Sequence, residues 1–462
     1  MCFGTGNSLH NTFSERISRS KVYKIVSQML TMMVSLFLTI MLVSVTAMPL
    51  VRISAGAMAA SLQTFNVQSF GAIPNGQTDD TSAIRAAISA AAAAGGGTVY
   101  FPPGTYMVDC ILNGTNVGSN ITLKGNGNAI IKLKPQSSKP LAEQFGIMVL
   151  EGPSKAFTNF TIDGLIFDGN KAMQSQKPID SGLREKKYYA LFRVWKNPAL
   201  GVAVDHITIT NSVFRNSIAA GIEFEGVDYT TLDNVQILNN GYFTTLSNGK
   251  LQGQADGIYI TGSNVVLSHV TARDNADTDI TFEGMESWGT AQITNCVISG
   301  NSEAGLAIAN NPYQITMGRT AAHDVTVDNC NIQMANRDLT VYNRGTRALL
   351  IEDYTYGVGA LPKNIEIKNS YIGSNDWAGI SSKGNGIWVH NNTFEGSIVS
   401  DIILAGGSNQ TVQSNDLWNS TKGIEKVTSA SMTGINLETN SFVDVKTTCV
   451  NLAQIISAYS GC

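Results

Sequence analysis

From about Asn159 onward, apolar and polar residues alternate in short runs, and the runs recur. A representative phrase is "ITITNSVFRNSIAAGIEFEG": an alternating strand, an Asn, a short polar stretch, and a second strand that opens with Gly or Asp. It returns in "QADGIYITGSNVVLSHVTARDNADTDITFEG", "AQITNCVISGNSEAGLAIAN", "VTVDNCNIQMANRDLTVYN" and "IEIKNSYIGSNDWAGISSKG". The period is roughly 22 to 35 residues, varying because one turn carries insertions, as in a stacked array. Period-two alternation without helical segments between the strands predicts a coil of β-strands rather than βαβ units. The expected fold class is therefore all-β: a single-stranded right-handed parallel β-helix.

Within this phrase Asn211, Asn234, Asn295, Asn329, Asn369, Asn391, Asn415 and Asn440 fall at equivalent places. Stacked amides there would hydrogen-bond along the axis and satisfy polar groups inside a turn that water cannot reach. His269 takes the same slot in its coil, as a hydrogen-bonded substitute. Cys296 and Cys330 each follow the ladder Asn in neighbouring coils, about 4.8 Å apart if the strands stack. They form either a disulfide or a pair of buried thiols, while Cys449 and Cys462 could close the C-terminal tail.

An open coil end is a template for aggregation and needs a cover. The stretch "DDTSAIRAAISAAAAAGGG" supplies one. Asp79, Asp80 and Thr81 cap a helix start, Ile84 and Ile88 share a face, and Gly95 to Gly97 stop the helix. Upstream, residues 1–60 run from Arg16, Arg19, Lys21 and Lys24 through an apolar segment to small residues, the order of a secretory signal peptide or membrane anchor. Residues 61–462 then form the β-helix domain, with the capping segment at about 64–110. Secreted, periplasmic or cell-surface localisation is expected, with membrane contact only through that N-terminal segment.

Composition narrows the partners. The chain is 43% apolar, 14% charged and carries a formal charge of -4. It is neither disordered nor a nucleic-acid-coating protein, and no nucleic acid is expected as a partner. Whether it is a monomer or a homo-oligomer is left open.

The stretches "FGAIPNGQTDDTSAIRAAI" and "GGGTVYFPPGTY" resemble the N-terminal signature of the pectate lyase-like superfamily of β-helix proteins. That group includes rhamnogalacturonases, polygalacturonases, alginate-type epimerases, lyases and phage depolymerases. The resemblance implies a pectin lyase-like solenoid with an N-terminal capping helix, a polysaccharide partner, and catalytic side chains on a long parallel sheet. Fold alone does not name the bond attacked.

Aligning the strands of that sheet, "ALFRVWK", "AGIEFEG", "DGIYITG", "TDITFEG", "AGLAIAN", "RDLTVYN", "AGISSKG" and "SDIILAG", turns Ile222, Phe224, Ile258, Ile260, Ile280, Phe282, Leu306 and Ile308 inward. Three columns remain outward. The first holds Gly221, Gly257, Asp279, Gly305 and Asp338. Arg193, Glu223, Tyr259, Thr281 and Thr340 lie in the second, and Trp195, Glu225, Thr261, Glu283, Tyr342 and Lys383 in the third. Asp256 and Asp277 sit in the turns that enter the sheet.

Six carboxylates thus converge on three coils, with pairs roughly 5 to 10 Å apart, the separation of acid and base in glycoside hydrolysis. Crowding raises the pKa of one carboxylate beside another. The catalytic candidates are Asp256, Asp277, Asp279 and Glu283. Substrate contacts are expected from Glu223, Glu225, Tyr259, Arg193, Trp195, Arg337, Tyr342, Arg344 and Lys383. No metal site is assigned and no cofactor is required, with Ca2+ as the alternative occupant of the carboxylates.

The polygalacturonase likeness places "QADGIYI" on the strand bearing that family's catalytic Asp, at Asp256, and "NADTDI" near its paired Asp residues, at Asp277. No Gly-His-Gly or Arg-Ile-Lys follows, and the Tyr-Gly-Phe-Asp-Pro-His run of epimerases is missing. The expected activity is cleavage of glycosidic bonds in a polysaccharide by carboxylate-assisted hydrolysis. Lyase or C5-epimerase action on a uronate polymer is the alternative, using the Arg, Tyr and Lys group. A non-catalytic glycan-binding or envelope β-helix is the third reading. The segments "NKAMQSQKPIDSGLREKKYY" and "GYFTTLSNGKLQGQ" would wall the groove.

Overall fold

The computed structural model describes residues 63–113, 118–135, 146–174, 190–283, 289–300, 302, 304–310, 322–335, 338, 340–342, 346–353, 361–373, 377–427 and 431–450. The chain is a right-handed parallel β-helix. Among the described residues, thirty-six strands join in one continuous parallel sheet, and a separate antiparallel pair stands outside it.

Each coil in the middle of the chain contributes three strands. The first face is built by strands such as Val204–Thr210 and Asp228–Asp233, and the second by Val213–Arg215 and Gln236–Leu238. The third carries Ala190–Trp195, Ala220–Glu225, Ile258–Thr261, Thr278–Glu283, Ala304–Asn310 and Arg347–Asp353. On it Ile222 pairs with Ile258, Ile258 with Ile280, and Ile280 with Leu306. These residues, with Phe224, Ile260, Phe282 and Ile308, are buried as the alternation requires. Aromatic rings stack up the interior, with Phe167 face to face on Phe214 at 4.7 Å and Phe192 edge-on to Phe224 at 4.9 Å.

The capping helix spans Thr81–Ala93 and buries Ala83, Ile84, Ala87, Ile88 and Ala91. Its cap comes from Asp79 rather than Asp80: Asp79 Oδ1 accepts from the Thr81 N–H at 3.1 Å. Asp80, at the N-cap position, makes no side-chain capping bond. It turns back to accept from the Ile73 N–H at 2.7 Å, tying the helix to the loop before it.

The Asn ladder is present but divided between two slots. Asn211, Asn234, Asn295, Asn329, Asn369 and Asn391 are exposed and adopt left-handed backbone with φ of 51° to 55°, a conformation Asn tolerates better than most side chains. They still pair between coils, as Asn234 Nδ2 does with Asn211 Oδ1 at 2.9 Å. His269 keeps the slot at φ 52° and meets Asp233 at 2.9 Å. The buried ladder lies one residue later, where Asn392 donates to Asn415 and Asn415 to Asn440, each at 3.0 Å. Asn415 Nδ2 also donates to the Val389 and Gln413 carbonyls.

Removing a buried rung leaves several polar groups unsatisfied, each costing about 1–3 kcal/mol. Asn415→Ala is therefore expected to lower unfolding free energy by roughly 2–4 kcal/mol. Asn234→Gly, which keeps the left-handed backbone at an exposed rung, should cost less than about 1 kcal/mol. Urea unfolding of the two variants side by side checks the difference.

Cys296 and Cys330 are free buried thiols, so the thiol alternative holds. Cys449 is disulfide-bonded; the Cys449–Cys462 pairing expected from sequence lies outside the described residues. So do residues 1–60. Among the described residues, no helix is long and apolar enough to cross a membrane.

Candidate functional site

On the third face, register places Val149, Arg193, Glu223, Tyr259, Thr281, Ala307, Leu350 and Ser381 in one outward column. Trp195, Glu225, Thr261, Glu283, Ala309 and Glu352 form the next. Two of the three columns expected from sequence therefore exist, over the coils that matter most.

Their polar members are not solvated. Arg193, Glu223, Glu225, Tyr259 and Glu283 are each less than a tenth exposed. Arg193 Nη1 forms an ion pair with Glu223 on the adjacent strand. Its Nη2 reaches Glu225 at 3.1 Å. A guanidinium clasped by two carboxylates is a preorganised unit, because the planar fork meets both acceptors without reorienting. One and two coils further on, the Tyr259 hydroxyl donates to Glu283 Oε2 at 2.5 Å. Thr261, between Glu225 and Glu283, is fully buried and accepts from the Gly226 N–H at 2.9 Å.

Asp279 is not part of this face. It is wholly buried at the start of the strand, and Asn275 donates to its Oδ1 at 2.6 Å from the side chain and 3.2 Å from the backbone. The reason lies in the corner. Asn240 Nδ2 donates to Asn275 Oδ1 at 3.0 Å, a second buried ladder. Gly221 and Gly257 leave room for these amides, since a Cβ on Gly257 would come within 2.6 Å of Asn275 Nδ2. In the following coil the smaller Ser302 replaces Asn, and Asp279 fills the gap instead of Gly. Burial pushes its carboxyl up to about 7, against the opposing pull of Asn275 and the nearby Ser302. Asp279 Oδ2 and Ser302 Oγ have no hydrogen-bond partner among the described residues. Asp401 is buried at the matching position and is likewise pushed up to about 7 by burial.

Asp256 and Asp277 do stand at the corner entering the sheet, each partly exposed. Asp256 Oδ1 accepts from the Thr278 N–H at 3.1 Å. The backbone of Asp277 bonds to Ala255 at 3.2 Å, so the two acids occupy successive coils.

The alignment slips at one coil. Among the described residues of "RDLTVYN" none belongs to the sheet; the pairing strand is Arg347–Asp353, with Leu349 on Leu306 and Ile351 on Ile308. Tyr342 consequently leaves the third column and sits beside residues 242–254, bridging Leu251 and meeting the Phe243 ring at 5.6 Å. Asp338 is exposed and accepts from the Thr340 N–H at 2.8 Å, holding a local turn rather than a column. Arg337 and Arg344 lie outside the described residues. Lys383 follows Ser382, the last residue paired with Arg347–Asp353, and the pairing with the next coil shifts register between Ser382 and Lys383. Trp195 is partly buried, its ring close to Gly152.

The segment before Asp256 is a hairpin of Tyr242–Thr245 and Leu251–Gln254. It is anchored tightly, because a Cβ on Gly253 would fall 1.8 Å from the Ala276 carbonyl oxygen. The other walling segment lies largely outside the described residues. Among the described residues, no group of three or more His, Cys, Asp or Glu side chains is arranged to hold a metal ion. Glu352 was missed in the sequence; continuing the columns through "RALLIED" would have found it.

The chain is a parallel β-helix of the pectate lyase-like superfamily. The chain belongs to the family described as rhamnogalacturonase A/epimerase, pectate lyase-like, which matches residues 64–326. It is 28% identical over 383 residues to mannuronan C5-epimerase AlgE5 of Azotobacter vinelandii, spanning 78% of this chain and 36% of that enzyme. Alginate lyase 7 of the same organism is 36% identical over 113 residues, 23% of this chain and 13% of the relative. The chain thus spans about a third or less of the length of these relatives. The AlgE4 epimerase A-module from A. vinelandii superposes with a TM-score of 0.62 at 21% identity, covering 84% of this chain and 97% of the module; this likeness is one of fold.

Proposed function

We propose that the chain is an exported polysaccharide-modifying enzyme that moves the C5 proton of an acidic sugar unit, as a uronate epimerase or an eliminating lyase. The observation that carries this is the Tyr259–Glu283 pair: a buried phenol donating at 2.5 Å to a carboxylate one coil away. In the proposed step the phenolic oxygen takes the C5 proton while the phenol proton passes to Glu283, so the pair acts as one base. A proton delivered from water to the opposite face of C5 inverts the sugar; expelling the C4 oxygen, which takes up the proton held by the pair, breaks the chain. The relatives named mannuronan C5-epimerase and alginate lyase support this chemistry over hydrolysis. Withdrawal of Asp279 into the interior also removes one of the acids on which hydrolysis was expected to rest.

Hydrolysis keeps one supporting observation. Glu225 and Glu283 flank Thr261 across two strand spacings, about 10 Å, near the separation of an inverting acid and base. Ca2+ enters the proposal only as a counter-ion of the polymer.

The test is turnover in deuterated water on mannuronate and galacturonate polymers and on neutral glucans. Deuterium at C5 without chain cleavage is expected for an epimerase, and ultraviolet-absorbing unsaturated ends for a lyase. New reducing ends with neither signal would overturn the proposal in favour of hydrolysis.

A further inference from the structure

A cavity of ≈ 450 Å³ opens at the corner between the second and third faces, lined by Lys132, Asp168, Asn170, Lys171, Ala172, Asn216 and Asn239. Its walls come from four successive coils. These coils lead into the third-face strands that bear Arg193, Glu223 and Tyr259. The cavity therefore flanks the candidate site without including any of its residues.

Its charge is unbalanced. Asp168 is neutralised by Arg215 at 2.9 Å and also receives the Asn170 N–H and Asn216 Nδ2. Among the described residues, Lys171 Nζ reaches only neutral oxygens, the Asn239 carbonyl at 3.3 Å and its Oδ1 at 3.2 Å. Lys132 lies in register beside Asp168 on the adjacent strand, and among the described residues its ammonium makes no hydrogen bond or ion pair. Two cations thus face one cavity whose single lining carboxylate, Asp168, is already held by Arg215. Burial alone pushes the Lys171 ammonium below the usual lysine range, the condition in which an arriving anion is most strongly held.

A structural role for Lys171 accounts for part of this. Asn239 Nδ2 donates to Asn216 Oδ1 at 3.0 Å, and Lys171 closes that outer ladder. An ammonium has three donors, however, and both of its acceptors belong to Asn239. The ladder does not explain Lys132, nor the open volume between the two lysines.

We propose that this corner pocket is an anion-binding subsite, with Lys132 and Lys171 receiving the carboxylate of an acidic sugar unit outside the reacting one. The inference rests on the uronate reading above and extends it, because a neutral polymer would gain nothing from two lysines here. A free inorganic oxyanion shares the chemistry and is separated by the experiment.

The measurement is calorimetric binding of a short oligouronate to the wild-type chain and to Lys132→Ala/Lys171→Gln. The Gln can still donate to Asn239, so the ladder is kept. A carboxyl-reduced, neutral oligosaccharide and inorganic sulfate serve as the other ligands. Loss of two charge-assisted contacts is expected to weaken oligouronate binding roughly ten- to hundred-fold, with a shallower salt dependence and no change for the neutral sugar. Equal oligouronate affinity in wild type and variant would overturn the proposal. Sulfate binding that is lost in the variant while oligouronate binding is unchanged would also overturn it, assigning the pocket to a free oxyanion. Turnover in deuterated water, run separately, reports whether the proton-transfer reading stands, so the two can fail independently.

Discussion

Tyr259→Phe should lower turnover on a uronate polymer by about 10²–10⁴-fold, the usual contribution of a positioned acid or base. The substitution removes one oxygen from a ring that is already buried on the face, so the shape of the groove is kept. What disappears is the group that donates to Glu283 at 2.5 Å. Because the lost interaction belongs to proton transfer rather than to holding the polymer, kcat is expected to fall with KM nearly unchanged. Glu283→Gln should fall in parallel, and the double variant should be little worse than either, as for residues acting as a unit. If Tyr259→Phe retained activity within a few-fold while Glu225→Gln abolished it, the two-carboxylate hydrolysis reading would replace this one.

The second large effect concerns stability. Asp279 has its carboxyl pushed up to about 7 by burial, whereas in the unfolded chain it titrates near 3.8. Below pH 3.8 both states hold the proton and the group has no effect on the balance. Between that pH and about 7 the unfolded chain releases its proton while the folded chain keeps it, so stability declines. Above about 7 the loss is complete, on the order of 4 kcal/mol. Asp401 shifts in the same direction and steepens the same slope. Asp279→Asn retains an oxygen for the Asn275 donors and cannot ionise. It is expected to flatten roughly half the decline and to be more stable than wild type at pH 8. Urea midpoints at pH 5 and pH 8 read this directly; identical slopes for the two proteins would show that the carboxyl titrates as it does in water.

The coil itself was legible because its signal is redundant. Inward positions such as Ile258, Ile280 and Leu306 repeat with apolar neighbours two residues away, and a capping helix with Ile84 and Ile88 on one side has few other uses. The Arg193, Glu223, Tyr259 and Glu283 positions followed from the same alternation. Three features were not legible, each for a local reason. Leu339 and Val341 alternate as well as Leu349 and Ile351 do, so pattern alone could not choose the strand of that coil. Alternation does not report what a neighbouring turn places over a strand's first residues, which is how Asp279 is buried against Asn275 although it stands two residues from Thr281 in the outward column. The exposed and buried Asn slots are adjacent in sequence, as at Asn391 and Asn392, and only the turn geometry separates φ 55° from the buried rung.

The hairpin of residues 242–254 interrupts the chain between two strands whose pairing, Ile222 on Ile258 and Phe224 on Ile260, continues as though nothing intervened. A corner that accepts a foreign segment without disturbing the register on either side separates two kinds of inheritance. The coils carry the scaffold, while a corner can hold an added segment without disturbing it. In such a chain a change of substrate can arrive as an insertion, leaving the side chains that perform the chemistry where they were.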